Sequence, residues 1–85
     1  MTDKTFIEIC KDIVREYTYE HLDKSDKKTD YDVYIVWYCK TLQNWKALIS
    51  TTLNDAMYYE LTLNGDKNEI YLDSYKKLEN KAIKL

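Results

Sequence analysis

The apolar period of the chain changes once, near Asp32, and that change constrains what it can fold into more than any other feature. Before it, Phe6, Ile9, Cys10, Ile13, Val14 and Tyr17 recur at three- and four-residue spacing. That spacing gives one apolar stripe and predicts an amphipathic helix over residues 3–22. Thr2 or Asp3 can cap its start, and Thr5 with Glu8 fits a capping box. After it, Val33, Ile35, Trp37 and Cys39 alternate with Tyr34, Val36, Tyr38 and Lys40. A period of two with both sets fairly apolar reads as a strand inside a sheet. The segment WKALISTTL repeats the alternation with Trp45, Ala47, Ile49 and Thr51 on one face, and MYYELTL repeats it with Met57, Tyr59, Leu61 and Leu63.

The connections follow from keeping these faces in register. An odd, three-residue Leu42-Gln43-Asn44 loop puts Trp45 and Ala47 beside Trp37 and Ile35, whereas an even loop would turn Lys46 and Ser50 to the core. NGDK is a hairpin signal. A tight Asn64-Gly65 turn would set Glu60 opposite Glu69, which is unfavourable. A turn centred on Gly65-Asp66 pairs Leu61 with Ile70 and Tyr59 with Leu72. Asp73 or Ser74 can cap a final helix that places Tyr75, Leu78 and Ala82 on one side. The expectation is a single α+β domain spanning 1–85. It has helix 3–22, a polar connection 23–31, a four-stranded antiparallel sheet over 32–72 and a helix over 74–83. The N-terminal and C-terminal helices pack on one face of the sheet.

Glycine occurs once, at Gly65, and proline is absent. A single glycine cannot build a phosphate-cradling loop, a dinucleotide fingerprint or a nucleophile elbow. Cys10 and Cys39 are too few for a secreted disulfide framework; a single bridge between them is one reading, and a pair of buried thiols in a reducing cytosol is the expected one. His21 is the only histidine. It lies about three turns from Cys10 on the same helix, and its expected place is the helix C-terminus. No structural metal site is indicated, no cofactor is implied, and the chain reads as a non-enzyme because nothing suggests a positioned cleft. No apolar run is long enough to span a membrane, and the N-terminus has no signal-peptide core. The localisation expected is cytoplasmic. Thirteen basic residues against 15 acidic ones leave a net charge of -2, so there is no global attraction to nucleic acid.

Two surfaces remain as candidates for function. With Trp37 and Trp45 facing the helices as core, the opposite face carries Tyr34, Tyr38, Tyr58 and Tyr71 with Lys40 and Lys46. Tyrosine-rich patches suit protein interfaces. Aromatics on an open sheet with lysines nearby also suit single-stranded nucleic acid, and tyrosine favours strands with no partner at all. If the helices covered the tyrosine face instead, the two tryptophans would be the exposed pair. The second surface is an acidic column, Glu8, Asp12, Glu16 and Glu20, with members about 6 Å apart along the helix. It could mimic nucleic acid to a basic partner, although Lys4, Lys11 and Arg15 flank it.

CKTLQNWKALISTTLNDAMYYE and LTLNGDKNEIYLDSYKKLEN, with the motifs CKTLQN, YYE, NGDK and IYLD-x-YKK, resemble a family of small proteins encoded by phages and prophages of low-GC Gram-positive bacteria. The resemblance is clearest from Asp32 to Asn80. That family has no assigned activity, so no site residue carries over. The resemblance implies an accessory protein in the cytoplasm of a host cell. The function expected is stoichiometric binding that modulates or inhibits a host or defence protein. The alternatives are a single-stranded nucleic-acid-binding module of phage DNA metabolism, and a structural homodimer.

Overall fold

The computed structural model describes residues 1–21 and 30–85. One helix, α1 (Asp3–His21), precedes four strands: β1 (Val33–Thr41), β2 (Asn44–Thr51), β3 (Met57–Asn64) and β4 (Glu69–Lys76). The strands form an antiparallel meander in the order β1-β2-β3-β4. Helix α1 lies across one face of it. Leu22 as the last helical residue, and the connection from 23 to 29, fall outside the described residues. No described helix is long and apolar enough to cross a membrane.

Thr2, rather than Thr5, caps α1, its hydroxyl accepting the Thr5 N–H at 3.2 Å. The buried side of the helix is a strict four-residue repeat, Phe6, Cys10, Val14 and Thr18. It packs on Trp45, Ala47 and Ile49 of β2 and Tyr59, Leu61 and Leu63 of β3, with Val33 of β1 completing the core. The Phe6 and Trp45 rings meet at 5.1 Å, and Tyr17 meets Tyr59 edge-on at 5.5 Å.

The expected C-terminal helix over 74–83 is absent, so the sheet carries a single N-terminal helix. Strand β4 runs through Ser74 and Tyr75 to Lys76, pairing Tyr75 with Tyr58 and Lys76 with Met57. The Lys77 N–H then donates to the Ala56 carbonyl at 2.7 Å, and residues 77–85 have no regular secondary structure. A helix of about ten residues with three apolar anchors is marginal by itself. Pairing along β3 satisfies the same backbone groups with a packed neighbour.

Two connections also differ from expectation. The β1–β2 turn contains two residues, Leu42 and Gln43, with Thr41 opposite Asn44. Leu42 takes a left-handed φ of 56°. The even loop is compatible with a continuous core because β1 carries a bulge: Ile35 pairs with Ile49, but Trp37 pairs with Leu48. Val36 is the extra residue, and every side chain after it changes face. The β3–β4 connection has four residues, 65–68, so Leu61 opposes Leu72 and Leu63 opposes Ile70. That is a shift of two from the expected pairing, and the faces are kept. The Asn64 side chain sets the turn by accepting the N–H groups of Asp66 (3.1 Å) and Lys67 (3.3 Å).

The cysteines are free and differ from one another. Cys10 is buried and Cys39 is exposed, so the expectation of two buried thiols holds only for Cys10. Burial pushes the Cys10 thiol up to about 12, and thiolate is the reactive form. A thiol reagent at pH 8 should therefore add one equivalent to the native protein, at Cys39, and a second only after denaturation. Fast double labelling without denaturant, read by mass spectrometry, would contradict this packing.

Candidate functional site

The sheet face away from α1 has no element over it among the described residues, and its side chains stand in rows across the four strands. One row holds Tyr34, Ser50, Tyr58 and Tyr75; the next Trp37, Leu48, Glu60 and Asp73; the next Cys39, Lys46, Thr62 and Tyr71. Tyr34 and Trp37 are each 43% exposed, Tyr71 45% and Tyr75 52%. Leu48 and Tyr58 are half-buried between them. Five aromatics and a leucine thus share one face that the fold leaves open.

Of the expected face residues, Tyr34, Tyr58, Tyr71 and Lys46 lie there. Tyr38 and Lys40 do not, because the bulge at Val36 turns them to the α1 side. There the Tyr38 hydroxyl donates to the Asp3 carboxylate at 3.3 Å. The nearby charge and this bond raise the phenol above its usual range. Lys40 places its ammonium 4.9 Å from the centre of the Trp45 ring. The same bulge corrects the tryptophans. Trp45 is core at 4% exposure, whereas Trp37 stands on the open face. Sequence reading missed Trp37 and Tyr75. Tyr75 had a signal, since Tyr71, Asp73 and Tyr75 continue the two-residue alternation of β4.

The charge on this face is mixed and slightly acidic. Lys46 pairs with Glu60 at 3.2 Å. Asp73 opposes Glu60. The Tyr71 hydroxyl donates to Glu69 at 2.7 Å, which raises its own pKa. The Lys77 ammonium approaches the Tyr58 ring at 6.0 Å. The Ser50 hydroxyl donates to the Met57 carbonyl at 2.8 Å, closing the one buried polar position in the first row.

On α1, Glu8, Asp12, Glu16 and Glu20 are all exposed. Asp12 pairs with Arg15 at 2.7 Å, and a pair this exposed contributes about 0–1 kcal/mol. The column and the aromatic face lie on opposite sides of the domain, so a compact partner would meet one or the other. Among the described residues no group of His, Cys, Asp and Glu is placed to hold a metal ion.

A family model described as "Family of unknown function (DUF6275)" matches residues 7–85. No curated protein matches the chain, and no solved structure does.

Proposed function

We propose that this protein, which belongs to the family of unknown function DUF6275, acts by stoichiometric binding of a protein partner through the open face of its sheet. The observation that carries the reading is the bulge at Val36, which sets Trp37 beside Leu48 on a face already bearing Tyr34, Tyr58, Tyr71 and Tyr75. A tryptophan and tyrosines around an apolar centre are the residue types that dominate binding energy at interfaces. They present area at little entropic cost.

The single-stranded nucleic-acid reading has less support. Of its two lysines, Lys40 lies on the other side of the sheet and Lys46 is paired with Glu60. Asp73 and Glu69 would stand against a phosphate backbone. The phage-protein resemblance of CKTLQN and NGDK makes a host or defence protein the first partner class to test, in the cytoplasm of a host cell. Binding would redirect or inhibit that partner, with no reaction catalysed by this chain.

The test is a pull-down from nuclease-treated host lysate with tagged wild type and with Trp37→Ala/Tyr75→Ala. A protein retained by the wild type and lost from the double variant is the expected result. The double variant should stay folded because both side chains are about half exposed. Equal retention by both proteins would remove the open face as the binding surface.

A further inference from the structure

β4 closes the meander and has β3 as its only strand neighbour among the described residues. We propose that its outer edge pairs with the same edge of a second copy of this chain, antiparallel about a two-fold axis at Leu72. The two sheets then form one continuous sheet. The proposal goes beyond the open-face reading and does not depend on it, because pairing edge to edge leaves that face uncovered.

The ladder shows which groups are free. The Lys77 N–H donates to the Ala56 carbonyl at 2.7 Å, and these two residues continue the β3–β4 register. Hydrogen-bonded pairs alternate in an antiparallel ladder, so Tyr75, Asp73 and Tyr71 bond to β3. Ile70, Leu72, Ser74 and Lys76 therefore turn their N–H and C=O groups to the outer edge. Sheet edges are normally blunted by a bulge, a proline, an inward charge or a covering element. β1, the other edge strand, has its bulge at Val36. β4 has none of these between Ile70 and Ser74. Its register with β3 is unbroken, the chain has no proline, and Ile70, Leu72 and Ser74 on the α1 side are uncharged. Residues 77–85 are exposed throughout and do not cover it.

The side chains favour a second copy as the occupant. Outward groups must meet outward groups, and two two-fold registers then keep nearly the whole strand paired. One centres on Asp73 and sets that carboxylate against its own copy, which is unfavourable. The other centres on Leu72. It places Leu72 against Leu72 of the second copy, Ile70 against Ser74, Tyr71 against Asp73 and Glu69 against Tyr75, with no like charges opposed. Ile70 and Leu72 are only half-buried in one chain, and this pairing covers more of them. The backbone of α1 runs nearest β1 and β2, so the two helices stand on one side of the joined sheet, away from the axis. Pairing of one strand from each copy supplies about six backbone hydrogen bonds over less area than a standard protein interface, so the dimer should dissociate in the range of about 10 µM to 1 mM.

The test is sedimentation velocity of the full chain across that range, with amide NMR spectra at both ends. A monomer–dimer equilibrium is expected, and the Leu72 and Ser74 amide signals should shift with concentration while the Trp37 indole signal does not. Ser74→Pro removes an outward N–H that β3 does not use, so it should leave the fold intact and weaken association by about tenfold or more. Ser74→Ala keeps that N–H and should associate like the wild type. A monomer at every concentration would overturn the proposal, and so would Ser74→Pro associating as well as the wild type. Association that shifts the Trp37 indole and leaves the β4 amides unchanged would place the contact on the open face instead. Leu72 and Ser74 amides protected in a monomer only when host lysate is added would assign the edge to a foreign strand. Either of these results also overturns self-pairing.

Discussion

Replacing Phe6 by alanine should remove a large share of the stability of the domain. Phe6 is fully buried, with its ring against Trp45, and truncation of such a residue costs about 3–5 kcal/mol. At about 0.05–0.15 kcal/mol per residue, a chain of 85 residues has roughly 4–13 kcal/mol in total. The loss should appear first as release of α1. Among the described residues no backbone hydrogen bond ties the helix to the sheet, so it is held by its stripe and by the Tyr38–Asp3 contact at its start. In chemical denaturation the midpoint should fall by at least about a quarter, and the emission of Trp45 should shift to the red before unfolding. Phe6→Leu should recover most of the loss. Trp37→Ala sets the contrast, because that ring is 43% exposed and the change should cost about 1 kcal/mol or less. Equal destabilisation by the two substitutions would mean that the faces of β1 are misassigned.

How far this could be read from the residues depended on how strongly each segment committed itself. The stripe of Phe6, Cys10 and Val14 fixed α1 and its buried side. Trp45, Ala47 and Ile49 alternate with a set that includes Lys46 and Ser50, so their face was legible too. In β1 both alternating sets are apolar or aromatic, and a one-residue slip there breaks no hydrophobic pattern. The bulge at Val36 therefore left no trace in the sequence, and its effect was to exchange Trp37 with Tyr38 between faces.

Like-charge avoidance argued against one register of the last hairpin, yet the structure places Glu60 opposite Asp73. The Lys46 ammonium on the other side of Glu60 relieves that pair, and only the three-strand arrangement reveals it. The C-terminal segment held two patterns at once. Tyr75, Leu78 and Ala82 had helical spacing, while Ile70, Leu72 and Ser74 alternated with Tyr71, Asp73 and Tyr75. Pairing with β3 decided for the strand as far as Lys76.

The same tertiary logic makes Gly65→Ala the most informative substitution outside the core. Gly65 is the only glycine, and its φ is not in the left-handed region, so backbone freedom does not explain it. Close approach does. The β3–β4 turn rests on the β1–β2 turn: the Gly65 N–H donates to the Asn44 side-chain oxygen at 3.1 Å, and the Gln43 amide donates to the Asp66 carboxylate at 2.8 Å. A Cβ on Gly65 would overlap the Gln43 carbonyl oxygen and lie 2.9 Å from the Gln43 Cβ. Backbone must therefore move in one turn or the other, and Leu42, already at positive φ beside Gln43, leaves that turn little room. Overpacking of this kind costs about 2–3 kcal/mol, or roughly 10–20 °C in Tm for a domain of this size.

The contrast with the hydrogen bonds decides the cause. Asp66→Ala and Asn44→Ala each remove an exposed bond and should cost no more than about 1 kcal/mol. Gln43→Gly in the Gly65→Ala background removes the side-chain clash but keeps the carbonyl oxygen, so it should restore only a small part of the loss. Full rescue by Gln43→Gly would place the conflict at the side chain. A Gly65→Ala protein as stable as wild type would mean that the two turns are not in contact in solution.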